Sequence, residues 1–224
     1  NALTPGGMTS TGQVLQSGIG IRKTLEAVKN VFQKSKYAGI ACGIKNTGIG
    51  NGVPDTGKVK IVVESSERIV IHQGWTEMGQ GGYTMAVQFF CEVTGLQPEL
   101  VEVRVDTSEE SESGMTTASR GTSIIGHSVI DAGRKLKADL ERHTLDELAG
   151  KVYEGEWACD WTTALENETA NIQTHYSYSY ATQVVTLDDS GKLDTVYAAH
   201  DAGRIINPIL FEGQLEGSIH MGLG

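Results

Sequence analysis

The chain has 224 residues, of which 39% are hydrophobic and 21% charged, and its formal net charge at pH 7 is −10. This length can form a core for one or two domains, and the mixed composition excludes an intrinsically disordered chain. An acidic chain without a basic run is a poor partner for nucleic acids or anionic membranes. No apolar run reaches the roughly 18 residues that cross a bilayer.

The sequence shows no signal-peptide pattern, which predicts a cytoplasmic protein. Its three cysteines, Cys42, Cys91 and Cys159, are far apart and lie in apolar or aromatic surroundings. Such cysteines are typical of buried thiols in a reducing compartment. Their spacing excludes a zinc or iron–sulfur site built from these residues alone.

The first half of the chain opens with a glycine- and serine-rich stretch. Apolar residues at helical spacing come next, and β-type runs follow them. The predicted elements are a helix over 21–34, a strand over 37–46, a loop over 47–57 and hairpin strands over 58–64 and 68–73.

The second half repeats this mixture of helical and alternating patterns. The predicted elements are a helix that ends at Gly95, a strand over 101–105, a loop over 106–122, a helix over 125–140, a hairpin over 177–203 and a final helix over 209–224. Strands and helices are mixed without regular βαβ alternation. The predicted fold class is therefore α+β, with mixed sheets and helices packed on one face.

One phosphate-binding pattern is rejected. Gly52–Lys58 fits the first seven positions of a Walker A loop, but Val59 stands where a serine or threonine would bind magnesium. A predicted strand follows instead of a helix. Because the phosphate cradle needs a helix N-terminus, we expect no nucleotide site here.

Three loop-to-helix junctions carry candidate binding residues. The first, TEMGQGG at residues 76–82, places glycines and Gln80 where a helix begins, and a helix start offers N–H donors to an anion. The second, GMTTASRGT at residues 114–122, is a run of small hydroxyl residues that opens a long helix. The third, HDAGRIINPILFEGQLEG at residues 200–217, places a proline at a helix start and Gln214 between glycines.

Each junction also has a purely structural interpretation. A glycine-rich helix entry needs no ligand, and Ser119 and Thr122 are typical N-cap residues as well as candidate ligand contacts. Asp201 and Arg204 suit a structural ion pair better than catalysis, and Gln214 alone is typical of a surface residue. The residues by themselves therefore indicate only a polar ligand with many hydrogen-bonding edges.

Together the junctions resemble the molybdenum hydroxylases, the family of xanthine dehydrogenase and aldehyde oxidoreductase. TEMGQG looks like that family's second pterin-binding loop, and GMTTASRGT is similar to its next loop. HDAGRIINPILFEGQLEGSIHMGLG looks like its HDVGRxLNP and GQxEGxxxxGLG segment. The opening ALTPGGMTSTGQVL is similar to bacterial members. The resemblance runs in order along nearly the whole chain and is weakest over residues 151–175.

The resemblance implies a set of cofactor contacts at matching positions: Gly79, Gln80, Gly81, Thr117, Ala118, Ser119 and Gln214. The glycine–glutamine loop would contact molybdopterin or its phosphate end. The small residues would face the pterin and the molybdenum environment, and the last glutamine would hydrogen-bond the pterin. A structural role is implied for the turn with Asp201, Arg204 and Asn207. Trp75 and Arg120 depart from the family pattern.

The implied protein is a molybdopterin-dependent hydroxylase, xanthine or purine dehydrogenase-like, that acts on an N-heterocycle or an aldehyde. The alternatives are the aldehyde oxidoreductase branch and a non-catalytic cofactor-binding paralogue. The cofactor-binding domain would form a first lobe over 1–150 and an incomplete second lobe over 151–224.

The resemblance also implies that important parts lie elsewhere. The family's general-base glutamate, in a Gly-Glu-Pro motif, would lie downstream of Gly224. No catalytic residue and no direct metal ligand is therefore expected in this chain. Iron–sulfur clusters and FAD are expected on other domains or subunits, with the rest of the large subunit as a partner.

Overall fold

The computed structural model describes residues 2–105, 111–167, 169 and 171–224. The chain forms two compact units, and each is assembled from two separate stretches of sequence. The first unit contains residues 1–53 and 161–205, and the second contains residues 54–160 and 206–224. No helix among the described residues is long and apolar enough to cross a membrane.

The first unit is a three-stranded antiparallel sheet with one helix. The helix α1 spans Ile21–Lys34, and the strands are β3, Ala38–Thr47, β8, Ser177–Leu187, and β9, Leu193–Asp201, in the order β3-β8-β9. A short ribbon of β1, Gly7–Met8, and β2, Val14–Leu15, precedes them. α1 is joined to the sheet by a buried hydrogen bond of 2.8 Å between the hydroxyls of Thr24 and Thr182.

The second unit is a four-stranded sheet in the order β6-β5-β4-β7 with helices packed against it. Its strands are β4, Asp55–Ser65, β5, Arg68–Gln73, β6, Val101–Val105, and β7, Val152–Cys159. All neighbouring strands are antiparallel except β5 and β6, which are parallel. A parallel pair needs a crossover, and helix α2, Gly82–Thr94, provides it. The other helices are α3, Gly121–Leu140, and α4, Pro208–Leu223.

The predicted elements are largely confirmed, and the α+β class is confirmed. The strand over 101–105 and the helix over 21–34 have the predicted bounds, and α2 ends at Gly95, which adopts a left-handed conformation with φ of 80°. The loop over 47–57 was predicted too long, because β4 begins at Asp55.

Strand β7 was not predicted at all. Its side chains alternate between buried and exposed, but its glycine and glutamates have low strand propensity and conceal the alternation. Part of the loop predicted over 106–122, residues 106–110, lies outside the described residues.

The two compact units differ from the lobes implied by the resemblance. Strand β3 belongs to the early part of the chain but pairs with β8 in the late part, from Ala38 opposite Thr186 to Thr47 opposite Ser177. This long-range pairing interleaves the units in sequence. The lobes over 1–150 and 151–224 refer to a larger domain, and that division stays a prediction.

The core of the second unit lies between its sheet and helices α2 and α3. The largest fully buried side chains there include Trp75, Phe90, Ile61, Ile71, Ile124 and Leu136. Helix α3 lies unusually close to the sheet because glycines face it. A Cβ at Gly57 would collide with Ile124, and one at Gly155 would collide with the Ser128 carbonyl oxygen. The Ser128 hydroxyl donates a 2.8 Å hydrogen bond to the Gly57 carbonyl in this contact.

We expect Gly155→Ala to lower the free energy of unfolding by about 2 kcal/mol, because the new methyl group must push α3 away from the sheet. Denaturant-induced unfolding of the natural full-length protein measures this. The matched control is Gly39→Ala in strand β3, where an added Cβ meets no atom within 4 Å. Equal stability of the two variants would contradict the close packing of α3.

Candidate functional site

The first two predicted binding segments and the part of the third from residue 206 onward meet in the second unit. The loop that follows β5 is joined to the loop before α3 by a hydrogen bond of 3.1 Å from the Thr76 N–H to the Thr116 hydroxyl. Helix α4 reaches the first loop through Gln214, whose Nε2 donates to the Gly79 carbonyl at 3.5 Å. Segments separated by more than 130 residues are thereby brought to one place.

The start of α2 is capped by a carboxylate of its own loop. Glu77 accepts the N–H groups of Gly79 and Gly81, both at 2.9 Å, and that of Tyr83 at 3.2 Å. The expectation of open N–H donors for an anion was therefore wrong for these three groups. A carboxylate at a helix N-terminus is favoured by both the unpaired N–H donors and the helix dipole. The loop therefore supplies the hydrogen-bond acceptor for its own N–H groups.

The same hydrogen bonds set the charge of Glu77. Desolvation by burial raises the pKa of its carboxyl group. The N–H groups of Gly81, Tyr83, Gly79 and Gly82 together lower it by more, so the pKa lies below its ordinary value. Glu77 is therefore ionised at neutral pH and holds the loop as a fixed negative charge.

The Gln80 side chain also folds back onto this loop. Its Nε2 donates to the Thr76 carbonyl at 2.7 Å, and its Oε1 accepts the Met78 N–H at 2.6 Å. A glutamine amide has two N–H donors and two acceptor positions, so one of each is left for a ligand. Gln80 thus has a fixed orientation and spare hydrogen-bonding capacity.

The loop before α3 contains a strained corner. Ala118 and Ser119 have φ of 57° and 52°, and Asn51 is the only other non-glycine residue with positive φ in the described part of the chain. Residues other than glycine rarely adopt this backbone conformation, and such strain is concentrated at functional sites. Thr117 and Ser119 are exposed, and their hydroxyls have no hydrogen-bond partner among the described residues.

The N-cap interpretation of Ser119 and Thr122 was wrong. Arg120 is the N-cap residue of α3, it makes no side-chain capping bond, and Thr122 lies inside the helix. The Ser119 hydroxyl is therefore not required by the helix. Its contact with a ligand stays a prediction.

Sequence reasoning missed the importance of Arg120 and its partner Asp55. The two side chains are 3% and 1% exposed and form a buried ion pair. Arg120 Nη2 also donates to the Met115 carbonyl at 2.6 Å, and its guanidinium lies 4.9 Å from the Trp75 ring centre. An arginine within a run of small residues was the available signal for Arg120. No sequence pattern pointed to Asp55.

The turn before α4 has a partly structural role, as expected. Asn207 caps α4 by accepting the Leu210 N–H at 3.1 Å, and its Nδ2 donates to Gln88 at 3.2 Å. The expected ion pair between Asp201 and Arg204 was wrong. In the first unit, Asp201 instead accepts the Gly203 N–H at 3.0 Å and packs against Gly20 at the start of α1.

The family model of the molybdopterin cofactor-binding domain matches residues 16–224. The chain belongs to this family. The expected resemblance to the molybdopterin-binding region of the molybdenum hydroxylases is therefore confirmed.

Several known proteins are similar to this chain. A probable xanthine dehydrogenase subunit of Bacillus subtilis is 25% identical over 88% of this chain and 31% of its own length. The gamma subunit of the 6-hydroxypseudooxynicotine dehydrogenase complex of Paenarthrobacter nicotinovorans is 24% identical over 89% and 29%. The structure of aldehyde oxidoreductase from Desulfovibrio gigas matches with a TM-score of 0.85 and 22% identity over 99% of this chain and 28% of that one. The chain spans about a third of the length of these curated relatives.

The residues present fit a pterin cofactor. The backbone strain at Ala118 and Ser119 is unexplained by the helix, and the amides of Gln80 and Gln214 both have spare donors and acceptors beside Gly79. A pterin presents such donors and acceptors along its edges. Among the described residues, no group of three or more His, Cys, Asp or Glu is placed to hold a metal ion.

We expect Glu77→Gln to lower the free energy of local unfolding at the start of α2 by about 1 kcal/mol, because an amide offers one acceptor oxygen where the carboxylate offers two. Hydrogen–deuterium exchange of the amides of residues 79–83 should then be about fivefold faster at pH 7. Since folding lowers the pKa of Glu77, the carboxylate stabilises the loop fully at pH values above the ordinary pKa of a glutamate. The difference in exchange rate between the wild type and Glu77→Gln should therefore fade as the pH falls from about 4 through the lowered pKa.

The control is Glu67→Gln, at an exposed position in the turn between β4 and β5. Its exchange should equal that of the wild type at every pH. A Glu77→Gln effect that stays the same from pH 7 down to a pH at which Glu77 is protonated in the folded protein would show that charge is not what holds the loop.

Proposed function

We propose that this chain is the cofactor-binding part of a molybdopterin-dependent hydroxylase that acts on an N-heterocycle or an aldehyde. The observation that carries the proposal is that three segments distant in the chain meet at one loop. Thr116, from the loop before α3, bonds Thr76, and Gln214 of α4 bonds Gly79 in the same glycine–glutamine loop. The names of the relatives, a probable xanthine dehydrogenase, a 6-hydroxypseudooxynicotine dehydrogenase and an aldehyde oxidoreductase, support the reaction class.

Each segment has its own part in holding the cofactor. Gln80, between Gly79 and Gly81, offers its spare N–H and lone pair from a fixed orientation. Gln214 offers its Oε1, which accepts no hydrogen bond from the described residues.

The strained corner offers the rest. Thr117 and Ser119 offer hydroxyls, and Ala118 offers its backbone at a tight turn. Because Glu77 already occupies the N–H groups of Gly79 and Gly81, these glycines shape the loop and allow close approach.

When bound, the molybdenum centre of the cofactor supplies the oxidative hydroxylation chemistry. The residues of this chain bind and orient the pterin. The general base is proposed to be a glutamate outside this chain, and the substrate pocket to include residues outside it. Iron–sulfur and flavin domains or subunits are proposed partners, and the description of two relatives as subunits supports such an assembly.

The direct test is to purify the natural full-length protein with its partners and measure its molybdenum by mass spectrometry and its pterin by fluorescence after oxidation. We expect both in equal amounts. Turnover with a purine, a pyridine-type N-heterocycle and an aldehyde then separates the branches. Cofactor without turnover on any of them would favour the non-catalytic paralogue, and protein without cofactor would refute the proposal.

We expect Gln80→Ala and Gln214→Ala each to lower cofactor content about fivefold, because each removes a hydrogen bond to the pterin. Gln97→Ala is the matched control, since its exposed side chain makes no hydrogen bond with the described residues. Wild-type cofactor content and turnover in both variants would remove the two glutamines from the site.

A further inference from the structure

The buried ion pair of Arg120 and Asp55 lies directly behind the strained corner. Arg120 follows Ser119 in the chain, and its side chain turns away from the exposed loop into the interior. There it binds the Asp55 carboxylate at the start of β4 and the Met115 carbonyl at 2.6 Å. The bond to Met115 ties the two ends of the 115–120 loop together.

Arg120 also connects this loop to the glycine–glutamine loop. Its guanidinium packs on Trp75, and Trp75 is followed by Thr76, whose N–H is bonded to Thr116. The Thr76 carbonyl in turn accepts the Gln80 amide. A single buried side chain thus bonds the 115–120 loop and packs on Trp75, the residue directly before the glycine–glutamine loop.

Stability alone does not account for this arrangement. Burying two charges is costly, and replacing such a pair by uncharged residues is often neutral or stabilising. Arg120 Nε and Trp75 Nε1 are moreover buried without a hydrogen-bond partner among the described residues. The presence of this ion pair, despite the free energy that its burial costs, is explained if the pair fixes one conformation of the 115–120 loop.

The strained corner needs such a device. Two consecutive residues with positive φ persist only where their surroundings hold them, and α3 has no side-chain cap to do so. Arg120 supplies bonds on both sides of the corner, through its own backbone at the start of α3 and through its side chain to Met115.

We propose that Arg120 and Asp55 are positioning residues that hold residues 115–119 in the strained conformation that receives the cofactor, without contacting the cofactor themselves. This inference rests on the proposed function of the same site. It assigns to an internal ion pair the task of shaping a loop whose exposed atoms do the binding.

The test separates loop position from global stability in the full-length protein. Arg120→Met and Asp55→Asn each leave one buried charge unpaired, so both should lower the melting temperature and lower cofactor content about tenfold. The double variant removes both charges. We expect it to regain the melting temperature of the wild type while cofactor content stays low and the amides of residues 115–121 exchange faster.

A second variant covers the case in which these proteins fold poorly. Arg120→Lys keeps the charge for Asp55, but one ammonium group cannot reproduce the fork that also reaches Met115. We expect a folded protein with reduced cofactor content and faster exchange at residues 115–121. Arg142→Lys, at an exposed position after α3, should match the wild type.

The inference is overturned if cofactor content follows melting temperature across all variants, since the pair is then merely structural. Wild-type protein without molybdopterin would instead refute the proposed function. Exchange at residues 115–121 still decides the positioning role in that case, because it needs no cofactor: faster exchange in Arg120→Lys supports the role and unchanged exchange refutes it.

Discussion

The close packing of α3 on its sheet is the contact on which the rest of the second unit depends. Gly57 and Gly155 leave no room for a side chain. The Ile124 side chain of α3 therefore packs directly on β4, and the helix backbone at Ser128 and Ala132 lies directly on β7. This fixes where α3 begins, and the candidate loop ends at that point. Asp55 lies two residues before Gly57, so the same strand also supplies the carboxylate that binds Arg120 behind the loop.

The candidate site is organised by hydrogen bonds within the protein itself. Glu77 occupies the N–H donors at the start of α2, and both ends of the Gln80 amide are bonded within its own loop. A ligand therefore meets side chains whose rotamers are already fixed, which lowers the entropy lost on binding. The proposed function assigns recognition of the cofactor to spare amide groups, hydroxyls and a strained backbone.

The part of its relatives that this chain covers agrees with its membership of the molybdopterin cofactor-binding family. The chain matches the family model over most of its length but spans about a third of its curated relatives. The proposed function assigns to this chain a cofactor site built from loops. In that proposal the cofactor carries the chemistry and the protein orients it.

The sequence by itself predicted most of the element types and the α+β class, and the family resemblance of its motifs named the seven candidate residues, whose contacts with a cofactor stay a prediction. Periodicity reports local burial, and the three motif segments are contiguous in the chain, so both are readable without coordinates. The start of β4, strand β7 and the pairing of β3 with β8 were decided by long-range contacts that leave only weak local signals.

Only the tertiary structure decided which groups around the candidate residues are already bonded within the protein. It showed that Glu77 fills the helix start that the sequence had left open to an anion, and that Ser119 is not a cap. It also paired Arg120 with Asp55 across 65 residues, which no local pattern encodes. Hydrogen bonds and ion pairs between distant segments depend on where packing places them. A sequence can therefore name the groups of a site, while the fold decides which of them are already used.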